Sequence, residues 1–143
     1  MKVTRAQESD LEALSILGEQ FAQEGQFPFE RPAWLKSWTA ILKSGLGEIL
    51  IGTQDGQVLG CIAILYAPSL NTGRLQAQEA GWFVRKDARG CGLRLLAAAE
   101  NAARWRGATA LLMAHLAGLN ERLGELYRRR GYRELETLYL LEL

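Results

Sequence analysis

The stretch Arg89–Arg94 reads RGCGLR and joins a β-rich run to a segment rich in leucine and alanine. Gly90 and Gly92 have no side chains, so backbone N–H groups can converge there on an anion. A helix that begins at this point adds unpaired N–H groups and the positive end of its dipole. These residue types favour phosphate binding, and the alternative is a tight strand-to-helix turn without a ligand.

Other phosphate and metal sites fit the sequence poorly. A dinucleotide fold needs Gly-x-Gly-x-x-Gly, and Leu95 occupies the position of its third glycine. A Walker loop needs Gly-Lys followed by Ser or Thr, and no such run occurs. Cys61, Cys91 and His115 are too few soft ligands for a zinc or iron site of usual composition. No metal is therefore expected.

Periodicity and turn signals predict the elements that would position this loop. Apolar residues spaced by three and four predict a helix after Asp10 that ends near Gly25, and a second from Pro32 to Gly45. An Asp-Gly dipeptide between two β-rich runs predicts a hairpin. The remaining predicted elements are strands over Lys2–Arg5, Glu48–Thr53, Val58–Tyr66, Gln78–Val84 and Thr109–Ala114, helices over Gly92–Arg106 and Asn120–Arg130, and a closing strand or strand pair over Tyr132–Leu143.

Composition predicts one compact domain over residues 1–143, with 48% apolar and 23% charged residues. The first residues lack the apolar run of a signal peptide, and no segment approaches the roughly 20 apolar residues of a membrane span. We therefore expect a cytoplasmic protein without a membrane partner. The net charge of +1 argues against nucleic acid as a partner, despite local arginine clusters.

The segment Val84–Arg94, VRKDARGCGLR, resembles the acyl-CoA pyrophosphate loop of the GNAT superfamily of N-acyltransferases. That loop has the pattern Gln/Arg-x-x-Gly-x-Gly/Ala, and Arg89 and Gly92 match its first and fourth positions. Arg94 holds the sixth position, where the family usually has glycine or alanine. Its side chain either reaches for a phosphate or lies along the helix surface.

A second segment, Asn120–Tyr132, resembles the late helix of the same superfamily. In that helix an asparagine is followed seven residues later by a tyrosine, here Tyr127, and four residues after that by glycine and an aromatic residue. Leu123 departs from the pattern, which has a small residue there. The predicted order of elements agrees with the superfamily along the whole chain.

The resemblance implies a GNAT-like α/β (α+β) fold, with a mixed, mostly antiparallel central sheet of six to seven strands flanked by about four helices. It implies acetyl-CoA as co-substrate, and a sheet that opens beside the strand before the loop, where free backbone groups hold the pantetheine arm. A backbone N–H there could polarise the thioester carbonyl. The implied cofactor-binding residues are Trp82, Phe83, Val84, Arg89, Gly90, Cys91, Gly92, Leu93, Arg94 and Asn120.

The same resemblance makes Tyr127 the general acid. A phenol with a pKa of about 10 stays protonated at neutral pH, and it can give a proton to a thiolate whose thiol has a pKa of about 8.5. The alternative is that Tyr127 only packs against Leu123 and Leu126. Asn120 could cap its helix and touch the cofactor, although capping alone explains it.

Two residues are candidates for the general base. Glu79 lies near the start of a strand in which regular alternation would place its side chain on the face of Gly81 and Phe83, within reach of an amine. Its alternative is a solvated strand-end residue. His115 is the rival because its unperturbed pKa suits the task.

These observations together predict an N-acetyltransferase that moves an acetyl group from acetyl-CoA to a primary amine of a small molecule or a protein, by direct attack with a tyrosine general acid. The alternative is a catalytically silent CoA-binding regulatory protein of the same fold. A homodimer is left open, since the leucine-rich end Thr137–Leu143 could pair with a second subunit at a sheet edge.

Overall fold

The computed structural model describes residues 1–88, 90–116, 118 and 121–143. The expectations for Arg89 and Asn120 therefore lie outside the described residues. The elements are β1 (Lys2–Arg5), α1 (Leu11–Gly25), α2 (Arg31–Ser44), β2 (Gly47–Gln54), β3 (Gln57–Pro68), β4 (Leu75–Val84), α3 (Cys91–Trp105), β5 (Ala110–Leu112) and α4 (Arg122–Arg129), with short 3₁₀ turns at Glu8–Asp10 and Lys86–Ala88.

The five strands form one sheet in the order β1-β2-β3-β4-β5. Every neighbouring pair is antiparallel except β4 and β5, which are parallel. The mixed, mostly antiparallel sheet with four α-helices confirms the predicted fold class, although the sheet has five strands among the described residues and not six to seven.

The missing strands are those predicted over Tyr132–Leu143. That segment forms no strand in the structure, and its leucines are largely exposed, with Leu138 at 80% and Leu140 at 89%. β-Propensity measures how well a side chain packs against strand neighbours, and without a pairing partner it produces no ladder. The prediction of a closing strand is therefore wrong for this structure.

Short-range signals explain the turns and helix ends. Asp55 and Gly56 have φ values of 51° and 76°, and the two-residue hairpin between β2 and β3 needs positive φ at both positions. Gly45 ends α2 in the left-handed conformation, with φ of 70°. Asp10 precedes α1 as predicted, but its carboxylate accepts the N–H of Gln7 at 2.7 Å and does not cap the helix.

Alternation along the strands divides the core between the two faces of the sheet. On one face, Ile62 and Ile64 pack with Leu95 of α3, and all three are fully buried. On the other face, Ile49 packs with Leu14 of α1. Burying each such side chain contributes about 1.5–3 kcal/mol.

The end of α4 is fixed to α3 by one carboxylate. Arg130 donates two hydrogen bonds to Glu100, at 3.0 and 2.6 Å, and the Tyr132 hydroxyl donates a third at 3.0 Å. These bonds lower the pKa of Glu100, Arg130 contributing most. The charged pair holds α4, and with it Tyr127, beside α3 and β5.

Candidate functional site

The candidate site begins at a β-bulge in β4. Ile64 of β3 lies opposite Glu79 and Ala63 lies opposite Gly81, so Ala80 has no partner on β3. An extra residue of this kind bends the strand and increases its twist. β4 pairs with β5 at only three positions, the last being Gln78 with Leu112, so the ladder between these two strands ends just before the bulge.

The bulge changes the face on which Glu79 lies. Residues directly opposite one another on antiparallel strands point to the same face, so Glu79 shares the α3 face with Ile64. Gly81 lies opposite Ala63, which packs on the α1 and α2 side. The expectation that Glu79 shares a face with Gly81 and Phe83 is wrong, because regular alternation does not continue through the inserted Ala80.

The carboxylate of Glu79 spans the opening between β4 and β5. Its Oε2 accepts the N–H of Ala114 at 3.1 Å, just beyond the end of β5. Burial raises the pKa of this carboxyl, and the N–H groups of Ala114 and Gly81 oppose the rise. Backbone donors therefore hold Glu79 at the cleft, and its protonated form is more favoured there than it would be in water.

Tyr127 reaches the same residue from α4. Its hydroxyl donates to the carbonyl of Ala114 at 2.9 Å, and its side chain is 8% exposed. Burial raises the pKa of Tyr127 above 10.0, and the nearby Glu79 charge adds to the rise. The phenol therefore stays protonated at physiological pH. Both predicted catalytic side chains meet at Ala114, where β4 and β5 separate.

The loop before α3 takes the predicted form of a helix start. Gly90 is the N-cap of α3, so the N–H groups of Gly90, Cys91, Gly92 and Leu93 have no acceptor within the helix. The helix pattern pairs the N–H of Arg94 first, with the Gly90 carbonyl. Four donors and the positive helix end face the loop, which is the arrangement that binds anions at helix starts.

The side chains of this first turn differ in direction. Cys91 is buried against Leu95 of the core, and burial raises the pKa of its thiol, so only its backbone serves the loop. A Cβ on Gly92 would lie 3.4 Å from Cζ2 of Trp82 and 3.5 Å from Cγ2 of Val84. The start of α3 therefore packs directly on β4.

The last residues of β4 divide between the two faces. Trp82 and Val84 pack with the α3-side core, whereas Phe83 is buried and meets Phe21 of α1 edge-on at 5.9 Å between ring centroids. Beyond Gln78 no β4 residue pairs with β5 in the described part of the chain. The backbone of Trp82, Phe83 and Val84 therefore has no strand partner on the β5 side, and its role in cofactor binding stays a prediction.

A cavity of about 660 Å³ lies beside the loop, next to the β2–β3 hairpin. Arg94, Arg85 and Gly90 are among its lining residues, and Arg85 pairs with Asp87 at 2.7 Å. Glu79 and Tyr127 do not line it. The cavity is thus a recess next to the loop, separate from the opening between β4 and β5.

His115, the rival base, follows Ala114 directly and is exposed. A Cβ on Gly124 would lie 3.5 Å from its Nδ1, so the imidazole lies against the start of α4. The base assignment between Glu79 and His115 stays a prediction.

Two features of the site carry no signal in the sequence. Ala114 contributes only backbone atoms, and an alanine gives no sign of such a role. The bulge at Ala80 depends on pairing with β3, which no single-strand pattern reveals. Within the described residues no group of His, Cys, Asp or Glu could hold a metal ion, and no helix is long and apolar enough to cross a membrane.

Comparison with known proteins agrees with this geometry. A model of the Acetyltransferase (GNAT) family matches residues 12–132. The chain belongs to the GNAT acetyltransferase family. Membership confirms the resemblance seen in the two motifs. It supports acyl-CoA-dependent acetyl transfer as the general type of reaction. A search of curated proteins finds no match.

Solved structures share the GNAT fold along the whole chain. A probable acetyltransferase has a TM-score of 0.84 at 19% identity, covering 100% of this chain and 98% of that one. A ribosomal-protein-alanine N-acetyltransferase from Brucella melitensis biovar Abortus 2308 has a TM-score of 0.77 at 19% identity, covering 100% of both. A predicted acetyltransferase with acetyl-CoA from Clostridium acetobutylicum has a TM-score of 0.80 at 16% identity, covering 99% and 95%.

Proposed function

We propose that this GNAT protein is an N-acetyltransferase that moves an acetyl group from acetyl-CoA to a primary amine of a small molecule or a protein. The observation that carries the proposal is the convergence of Tyr127 and Glu79 on Ala114, where β4 and β5 separate. A proton donor and a proton acceptor thus lie at one cleft, and the free N–H groups of α3 lie beside it.

The residues present fit acetyl-CoA. The backbone N–H groups of Gly90, Cys91, Gly92 and Leu93 would receive the pyrophosphate, with Arg94 and Arg89 supplying positive charge. Backbone groups of Trp82, Phe83 and Val84 would hold the pantetheine arm, and Asn120 would contact the cofactor. The first turn of α3 lies against Trp82 and Val84 at Gly92.

Acetyl-CoA supplies an acetyl group activated as a thioester, and the protein moves protons around it. As the amine nitrogen bonds to the carbonyl carbon and the C–S bond breaks, the Tyr127 hydroxyl gives its proton to the leaving sulfur. Glu79 takes a proton from the amine through water, and a β4 backbone N–H polarises the carbonyl. Glu79 then releases its proton to solvent, and the phenolate of Tyr127 regains one from solvent.

The choice of acceptor lies beyond the fold, because one fold serves many acceptors. We propose a primary amine as its class, and a panel of small amines and peptide N-termini would be screened for acetyl-CoA-dependent release of free thiol. The mechanism predicts one acetylated amine for each thiol released.

The first experiment is calorimetric titration with acetyl-CoA. Gly90 is suited to mutation because its φ is −63° and a Cβ there would meet nothing within 4 Å. Gly90→Glu places a negative charge at the anion loop, and Gly90→Ala is its matched control. We expect micromolar binding by the wild type and Gly90→Ala, and at least about tenfold weaker binding by Gly90→Glu.

The opposite outcome overturns the proposal: no binding of acetyl-CoA or free CoA by the wild type would leave RGCGLR as a turn only. Equal binding by Gly90→Glu would move the anion away from this loop.

A silent CoA-binding regulator is the second candidate function. It is favoured by one observation, that the Tyr127 hydroxyl is already bonded to the Ala114 carbonyl and must leave it to protonate a thiolate. This candidate predicts acetyl-CoA binding without thiol release for any amine in the panel. Amine-dependent release that Tyr127→Phe abolishes would exclude it.

A further inference from the structure

Among the residues that the structure describes, Nε1 of Trp82 is a buried side-chain nitrogen without a hydrogen-bond partner. The two buried polar residues of the described part of the chain, Ser15 and Glu48, have hydrogen-bond partners. Ser15 donates to the Glu12 carbonyl at 2.6 Å and accepts from Arg31 at 2.8 Å. Glu48 accepts hydrogen bonds from Arg5 and Tyr66. Buried polar groups in native proteins are nearly always paired, so the orphan at Trp82 calls for an explanation.

The position of the indole supplies one. Trp82 lies between the Tyr127 ring, at 6.4 Å between centroids, and Gly92 at the start of α3. A Cβ on Gly92 would lie 3.4 Å from Cζ2 and 3.9 Å from Cε2, and Cε2 is the carbon bonded to Nε1. The edge of the indole that bears the N–H therefore lies at the first turn of α3, between the proposed acid and the proposed anion loop.

An indole N–H can only donate, so its missing partner is an acceptor. No acceptor of the described residues lies within hydrogen-bond distance of Nε1. Acetyl-CoA carries acceptor oxygens along its length. The pyrophosphate oxygens and the pantetheine amide carbonyls share this chemistry.

We infer that Trp82 binds acyl-CoA through its side chain, its indole N–H donating a hydrogen bond to a pyrophosphate or pantetheine oxygen of the bound molecule. The inference rests on the proposed function and deepens it, because the resemblance implies only the backbone of Trp82 in binding. The indole then links the two halves of the site: its ring packs beside Tyr127 and its N–H serves the cofactor.

The test observes the indole protons directly. The chain has four tryptophans, so ¹⁵N-labelled protein gives four indole N–H signals, and single Trp→Phe variants assign them. Addition of acetyl-CoA should move the Trp82 signal downfield and slow its exchange with water, more than at Trp34, Trp38 or Trp105. Variants of the other three tryptophans assign the Trp82 signal by elimination, so the measurement does not depend on how well a Trp82 variant folds.

A second measurement is calorimetric titration of Trp82→Phe, which keeps an aromatic ring but removes the N–H. Acetyl-CoA should bind about three- to tenfold more weakly, the range for one hydrogen bond. Trp105→Phe is the matched control, because Trp105 is 82% exposed at the end of α3 opposite the loop. Its affinity should equal that of the wild type.

Fragments locate the acceptor oxygen. ADP contains a pyrophosphate without the pantetheine arm, and pantetheine lacks the pyrophosphate. The fragment that shifts the Trp82 signal and loses affinity in Trp82→Phe identifies the partner, and a shift with either fragment supports the inference.

Failure of this inference is distinct from failure of the proposed function. If acetyl-CoA binds the wild type but leaves the Trp82 signal and the affinity of Trp82→Phe unchanged, the side-chain role is overturned and the function stands. If acetyl-CoA does not bind the wild type, the proposed function is overturned, and the side-chain role with it.

Discussion

Two glutamates lie on either side of Ile64 in one row across the sheet, and their surroundings differ. Glu48 on β2 is 2% exposed and accepts hydrogen bonds from Arg5 at 2.6 Å and Tyr66 at 2.7 Å. Glu79 on β4 is half-buried, and backbone N–H groups hold it.

The difference separates a structural carboxylate from a site carboxylate. The hydrogen-bond network of Glu48 with Arg5 and Tyr66 is closed, because a further cation completes it. Arg106 lies 3.9 Å from the Glu48 carboxylate and 4.3 Å above the Tyr66 ring. Burial and the Glu48 hydrogen bond raise the pKa of Tyr66, which keeps it a donor. Glu79 lies where two strands part, and no side-chain cation bonds it in the described structure. The closed network around Glu48 stabilises the sheet, whereas the open surroundings of Glu79 leave its carboxylate able to bind a ligand or a proton.

The largest expected effect is on the transfer rate, at Tyr127 beside the open surroundings of Glu79. Tyr127→Phe should lower the rate of acetyl transfer about 100-fold or more, because the proton for the leaving thiolate is lost. Steady-state assays of thiol release would measure this, with acetyl-CoA affinity nearly unchanged by calorimetry. Tyr132→Phe is the matched control, since its hydroxyl bonds Glu100 and not the cleft.

An equal loss of rate in Tyr132→Phe would assign the effect to packing of the two rings, which lie 5.4 Å apart between centroids. If Tyr127→Phe and Glu79→Gln both left the rate unchanged, the acid–base mechanism would be wrong while the fold stood.

The next largest expected effect is on stability, at the closed network around Glu48. Glu48→Gln should lower the free energy of unfolding by about 2–3 kcal/mol, because charged hydrogen bonds from Arg5 and Tyr66 are weakened in a buried place. Urea denaturation would measure the loss, and acetyl-CoA binding should not change. Glu12→Gln breaks the exposed pair with Arg31, and its loss should stay below about 1 kcal/mol. Similar losses in both variants would contradict the distinction.

A smaller effect concerns pH. Because burial raises the pKa of Glu79 above 4.5, the folded protein holds this proton at pH values where the unfolded chain has released it. The Glu79 contribution to stability should therefore fall as pH rises from about 4.5 through the folded pKa. Unfolding measured from pH 4 to 7 should show this slope in the wild type and lose it in Glu79→Gln. If the stability of the wild type relative to Glu79→Gln rose with pH instead, the backbone N–H groups would lower the pKa of Glu79 more than burial raises it.

The smallest expected effect on stability is at the C-terminal segment. This prediction concerns the sheet edge formed by β5. β5 pairs only with β4 in the described chain, so its outer edge is free, and Leu138 and Leu140 are exposed. We expect Thr137–Leu143 to pair with the β5 edge of a second copy. Light scattering should then give a dimer that becomes a monomer when these residues are deleted, with unfolding by urea little changed. A monomeric wild type would exclude this pairing.

Much of this molecule was predictable from local rules. The Asp55–Gly56 turn, the ends of α1 and α2 and the start of α3 each depend on residues close together in the chain. The RGCGLR loop and the spacing of Tyr127 also predicted the family. Their roles in binding and transfer remain predictions.

What the sequence by itself determined is the order of the elements before Tyr132 and the glycine loop that opens α3, because φ preferences and the apolar period act within a few residues. Only the tertiary structure decided the face of Glu79, the orphan indole of Trp82 and the unpaired C-terminal segment. The bulge at Ala80 depends on the register of β4 against β3, and the state of Trp82 depends on Gly92 of the next element and on Tyr127, which lies far from it in sequence. Pairing and burial are properties of partners, and a single segment does not contain its partner.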